Sequence, residues 1–219
     1  FIMGKATLLA AGALALCACS GSVPERNAPP EQAICAILIG GRMVLPSGPA
    51  RNGLLHLNFE SAGGGRAEIY RLPISGGENS LYLVEPGVYR LAPTRSLFGS
   101  YEEKLTVEIE GARYSLAFPR ELLRQSAYEI KPGKLVAIGV IEAKVMPAPP
   151  GETPSVRVAV DDSLETRRKL VQDAIRDMMD PARPPEARES AIAWSRALQN
   201  SLMTILSEDE KRPLFKPAP

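Results

Sequence analysis

Leu105-Thr106-Val107-Glu108-Ile109-Glu110-Gly111 alternates apolar and polar side chains and stops at a glycine. Successive side chains of a strand point to opposite faces, so this spacing predicts a β-strand with one face buried. Leu55-His56-Leu57-Asn58-Phe59-Glu60 carries the same pattern upstream. Working outward, short apolar runs occur at residues 34–39, 67–72, 81–84, 88–91, 128–131 and 135–145. Gly40-Gly41 closes the first of them, and Gly63-Gly64-Gly65 and Gly76-Gly77 read as hairpin turns. Pro86-Gly87 and Pro132-Gly133 each divide two runs. Proline fixes φ at one turn position and glycine accepts a positive φ at the next. Short strands with turns at this spacing predict a mainly β fold, a seven- or eight-stranded antiparallel β-sandwich over residues 33–160.

Beyond the sandwich the period changes. Pro147, Pro149, Pro150 and Pro154 exclude helix and central strand from residues 146–154, and Val156, Val158 and Val160 then alternate as a returning strand. Asp161-Asp162-Ser163 offers an N-cap, and Leu164, Val171, Ala174, Ile175 and Met178 recur at helical spacing. Asp180-Pro181 ends that helix. Ala191, Trp194, Ser195, Leu198, Leu202 and Ile205 form the stripe of a second. The two predict a C-terminal α-helical hairpin over residues 161–207, packed on the sandwich or on a partner. Pro213 and Pro217 mark residues 208–219 as a flexible tail.

The N-terminus has another character. Lys5 precedes an apolar run over residues 6–16, 11 residues long, where a membrane-spanning helix needs about 20. A basic start, a short apolar core and small residues form the pattern of a secretory signal. Leu16-Cys17-Ala18-Cys19 resembles the lipobox of bacterial lipoproteins, in which an aliphatic and two small residues precede the acylated cysteine. Modification at Cys17 would place bulky Leu16 directly before the cleaved bond, so Cys19 is the expected lipidation site. The competing reading is an ordinary secretory signal with an incidental cysteine. Ser20-Gly21-Ser22 sets no aspartate beside Cys19, which resembles the outer-membrane pattern of enterobacterial lipoproteins. Residues 1–18 are then a signal peptide. Residues 19–32, rich in Gly, Ser, Pro and charge, are expected to be a disordered tether. Two or more acyl chains, such as palmitate, hold a protein durably to a bilayer where one does not.

Glu85-Pro86-Gly87-Val88-Tyr89-Arg90-Leu91 and Ile130-Lys131-Pro132-Gly133-Lys134-Leu135-Val136-Ala137-Ile138-Gly139 resemble bacterial lipoproteins built on a transthyretin-like (carboxypeptidase regulatory-type) β-sandwich. In that group one Pro-Gly turn precedes a "G-x-Y-x-L" strand. A second opens a late strand running into "I-G-x-I", as Ile138-Gly139-Val140-Ile141 does. The resemblance covers residues 34–179 and implies a fold rather than an activity. The second helix lies outside it.

Few residues are candidates for chemistry. A net charge of +1 supplies no field for nucleic acid. His56 is the single histidine, on the polar side of its strand, and no Gly-x-Ser-x-Gly elbow presents a nucleophile. Zinc and related metals draw on several His and Cys residues, so no metal site or cofactor is expected. Asp161-Asp162 reads as helix capping and Cys35 as a small core residue within an apolar stretch. The tyrosines at 70, 82, 89, 101, 114 and 128 would form a glycan platform only if several were exposed on one face. Trp194, Leu198 and Leu202 either anchor the hairpin on the sheet or bind a partner. The expected function is that of a non-enzymatic envelope lipoprotein. It would hold to the outer membrane through lipid on Cys19 and bind another envelope protein. A glycan- or cell-wall-binding module is the alternative, and an envelope hydrolase ranks below it.

Overall fold

A computed structural model describes Ser22, Pro24 and residues 35–62, 68–94, 100, 103–124, 127–182 and 185–210. Residues 1–18, Cys19, most of the expected tether and residues 211–219 lie outside the described residues.

Eleven strands and three helices follow one another among the described residues. They are β1 (Cys35–Leu45), β2 (Gly48–Pro49), β3 (Gly53–Ser61), β4 (Ile69–Ser75), β5 (Asn79–Val84), β6 (Gly87–Ala92), β7 (Lys104–Ile109) and β8 (Ala112–Ala117). Then come α1 (Arg120–Arg124), β9 (Tyr128–Ile130), β10 (Leu135–Met146), β11 (Ser155–Asp161), α2 (Leu164–Met178) and α3 (Pro185–Glu210). Sheet A has the order β8-β7-β3-β6-β9, with β4 on the other edge of β3. Sheet B has the order β11-β10-β1-β2, with β5 also paired to β1. The fold is mainly β and two-sheeted with a C-terminal helical pair, as expected. The strand number is higher than seven or eight, and one pairing departs from antiparallel: β1 runs parallel to β10, from Ala36↔Leu135 to Val44↔Lys144.

Three layers result. Cys35, Ile37 and Ile39 of β1 join Leu55, Leu57 and Phe59 of β3 in the core between the sheets. Their neighbours Ala36 and Leu38 point the other way, into a second core with Leu170, Val171, Trp194 and Leu198 of the helices. A strand covered on both faces reads as a continuous apolar run, and that is why residues 34–39 do not alternate. Gly40-Gly41 is not the end of this strand. β1 continues through it to Leu45, because a Cβ on Gly41 would lie 2.1 Å from the Ser75 carbonyl oxygen. Glycine is what lets the strand of sheet B pass the end of β4.

β4, β5 and β6 belong alternately to sheets A, B and A. The corner between β5 and β6 is held by tyrosines. The Tyr89 hydroxyl donates to the Glu85 carbonyl (2.8 Å), and the Glu85 N–H donates to the Tyr70 hydroxyl (2.9 Å). The Tyr89 ring stacks on Phe59 with centroids 4.8 Å apart. Gly87 therefore does not take the positive φ expected of a tight reversal, whereas Gly133 (φ 68°) does.

Ser163 is the N-cap of α2, accepting from the Thr166 N–H at 3.3 Å. Asp161, at the end of β11, accepts from the Thr166 hydroxyl at 2.7 Å and from the Ser163 N–H. The Thr166 hydrogen bond is the main reason its carboxyl titrates below the usual range. α3 extends to Glu210, past the expected helical limit at residue 207. Arg167 at the start of α2 pairs with Glu208 near the end of α3 (2.8 Å), so the hairpin is antiparallel.

Part of the expected tether touches the fold. Ser22 bridges Tyr70 in parallel orientation on the outer edge of β4: the Arg71 N–H donates to the Ser22 carbonyl (2.9 Å), and Pro24 is buried.

Candidate functional site

One concavity among the described residues lies between α3 and the β9–β10 turn. It is a groove of about 460 Å³, lined by Glu129, Lys131 and Lys134 at the turn, Leu135 and Ala137 of β10, Arg167 of α2, and Ala197, Asn200, Ser201, Thr204 and Glu208 of α3. That size falls within the range of ligand pockets. The β9–β10 turn brings up the lysines because Pro132-Gly133 reverses the chain there. The antiparallel hairpin brings the polar flank of α3 alongside.

Its charges are mostly matched. Lys131 pairs with Glu129 at 3.4 Å and Arg167 with Glu208 at 2.8 Å. Arg167 Nε also donates to the Ala137 carbonyl at 3.0 Å, so the guanidinium fastens α2 and α3 to β10. Lys134 forms no ion pair among the described residues, which leaves the groove one positive charge in excess. Ser201, only 7% exposed, is a buried polar group beside the apolar floor of Leu135 and Ala137. The arrangement suits a ligand with one anionic group and hydrogen-bonding substituents. No local sequence pattern signals it, because its residues come from three distant stretches.

At the edge of the inter-sheet core, Tyr128 packs near Phe59 with its hydroxyl buried and without a hydrogen-bond partner among the described residues. Burial, and then the charge of Asp162, push the Tyr128 phenol up. A buried hydroxyl without a partner costs about 1–3 kcal/mol. Tyr128→Phe should therefore leave stability unchanged or raise it by up to about 1 kcal/mol in urea denaturation. A loss of stability would mean that the hydroxyl has a partner.

The other expected site residues are placed as follows. Cys19 lies outside the described residues. Trp194 (3% exposed) and Leu198 (0%) are buried against sheet B, and Leu202 is half-buried. They anchor the hairpin: the apolar stripe seals the outer face of β1, β5 and β10. His56 is half-buried on the outer face of sheet A, opposite Pro73. Burial and the Arg71 charge lower its pKa. Tyr70, Tyr82 and Tyr89 are core residues and Tyr101 lies outside the described residues, so those three cannot form a stacking platform. Cys35 is fully buried, and burial pushes its thiol up.

Sequence alternation also misplaced one face. Asn58 (4% exposed) and Glu60 (3%) are buried although they point away from the inter-sheet core. The register sets Asn58 between Arg71 and Ala92, and Glu60 between Ile69 and Arg90, so longer neighbours flank both. Among the described residues, no group of three or more His, Cys, Asp or Glu side chains converges as a metal site would require. Comparison with family models, curated proteins and solved structures yields no match to this chain.

Proposed function

We propose that this chain is a lipid-anchored module of the bacterial envelope that binds another envelope component without transforming it. The observation that carries the anchor is Leu16-Cys17-Ala18-Cys19 after a short apolar run with a single preceding lysine. The site of attachment is the outer membrane, following the Ser20-Gly21-Ser22 pattern. No helix among the described residues is long and apolar enough to cross a membrane, so attachment of the kind proposed rests on acyl chains at Cys19. The turn-and-strand likeness to transthyretin-like lipoproteins supports the same reading.

Support for binding comes from the groove beside Lys134, which offers a recess, a lysine without an ion pair among the described residues and a polar wall. A non-enzymatic role is supported by the sequence, which has a single histidine and no Gly-x-Ser-x-Gly elbow.

The test is Cys19→Ser in a host that acylates lipoproteins. The variant should move wholly from the membrane pellet to the soluble fraction and keep the thermal transition of the unacylated wild-type domain. A Cys19→Ser chain that stays in the pellet would overturn the anchor.

A further inference from the structure

We infer that one end of the sandwich, where β3 ends and β4 begins, faces the membrane at close range. The inference rests on the lipid anchor at Cys19. Ser22 is not part of a free spacer. Its carbonyl accepts from the Arg71 N–H at 2.9 Å, and its hydroxyl reaches the Ile69 carbonyl at 3.4 Å. Two residues, Ser20 and Gly21, separate Cys19 from Ser22, so three Cα–Cα steps join them. At full extension they reach about 10 Å. A tether free as far as residue 32 would reach more than about 40 Å. The short path decides the distance, because the acylated residue sits at the bilayer surface.

Direction follows from the register. Ser22 pairs with Tyr70 in parallel, so the chain runs alongside β4 from its Ile69 end. Ser22 is therefore entered from beyond that end, where Ala62 and Glu68 stand and the Ser61 N–H donates to the Glu68 carbonyl. The start of β6 is there too, where Val88 is exposed and its carbonyl accepts from the Ala62 N–H at 2.6 Å. Arg71 and Arg90 stand exposed on the outer face of sheet A within two residues of this end. They complement the anionic headgroups of a bilayer. The opposite end carries the β7–β8 turn, reached from Ser61 through Leu54, Glu108 and Arg113. Seven residues of β3 separate the two ends, more than about 20 Å along the strand. The bilayer therefore meets the Ala62 end, and the groove partner must be reached from a domain that is held close and oriented.

The experiment uses the full acylated chain in phosphatidylethanolamine–phosphatidylglycerol vesicles, some lipids carrying a headgroup nitroxide. A fluorophore is placed on Ala62→Cys or on Arg113→Cys. Cys35 is fully buried and Cys17 precedes the cleavage, so the new thiol alone is labelled. The expected result is loss of fluorescence from the Ala62 site and none from the Arg113 site. Inserting twelve Gly-Ser residues between Gly21 and Ser22 should abolish the loss at Ala62 while the chain still sediments with the vesicles. Equal fluorescence at both sites in sedimenting protein overturns the inference and leaves the anchor standing. A chain with no lipid on Cys19 that fails to sediment overturns the anchor, and this inference with it.

Discussion

Gly139→Ala is expected to destabilise the protein by at least about 3 kcal/mol, measured as the shift in a urea unfolding transition at constant m. Gly139 has φ 129°, a region that side chains avoid. A Cβ there would lie 2.4 Å from the Asp161 carbonyl oxygen and 3.0 Å from the Asp162 Cα. Both are backbone atoms at the junction of β11 and the α2 cap, so neither can turn aside. The position is also the site of a bulge. Leu38 pairs with Ala137 and the next residue, Ile39, pairs with Gly139, leaving Ile138 as the extra residue. Before the bulge, Leu135 and Ala137 face the helices. After it, residues of the same parity, Ile141, Ala143 and Val145, face the inter-sheet core. The bulge lets one strand serve both cores. Removing it would turn several apolar side chains to the wrong layer. A Gly139→Ala protein with an unchanged midpoint would mean that the bulge carries no such burden.

Trp194→Ala should cost about 3–5 kcal/mol, the usual range for truncating a large buried aromatic residue. Trp194 is 3% exposed and shares its cluster with Leu38, Leu83, Leu170 and Leu198. Domains of this kind are stable by about 5–15 kcal/mol in total, so the loss would approach unfolding. Circular dichroism must follow it, since Trp194 is the only tryptophan. Ile192→Ala is the control: at 74% exposure it should move stability by less than about 0.5 kcal/mol. A stable Trp194→Ala protein would return this residue to the role of a partner contact. The same geometry rules out the simplest truncation. A chain cut after Ser163 would bare Ala36, Leu38, Leu81 and Leu83 to water, and its failure to bind would say nothing about the hairpin.

The strands could be read in the sequence because each carries its own period. Residues 105–110 alternate since sheet A wets one face of β7, and the apolar run into β1 is continuous since both its faces are covered. Ser163 and Pro181 bracket α2 as local chemistry demands. What escaped was whatever depends on pairing between distant residues. Nothing in Ile39 or Gly139 announces a parallel ladder or its bulge. Asn58 and Glu60 look like a wet face until the register places arginines beside them. β8 hid because its burial is slight, from Ala112 to Ala117 on a sheet edge. The groove was hidden for the same reason as the ladder, being assembled from residues 129–137, 167 and 197–208. For the proposed anchor the reverse holds: Cys19 is read from the sequence alone, and the fold adds only the contact of Ser22 with β4.

The parallel ladder between β1 and β10 also sets an order in time. Its partners, Ala36 and Leu135, are about a hundred residues apart. Until the later strand has been made, β1 has no neighbour on that edge, and the long loop must close before the contact rewards it. A chain emerging from a ribosome would thus complete sheet B late, whereas every strand of sheet A has been made by Ile130. Such delay would suit the export proposed for this chain, in which the polypeptide crosses a membrane unfolded before it becomes a domain.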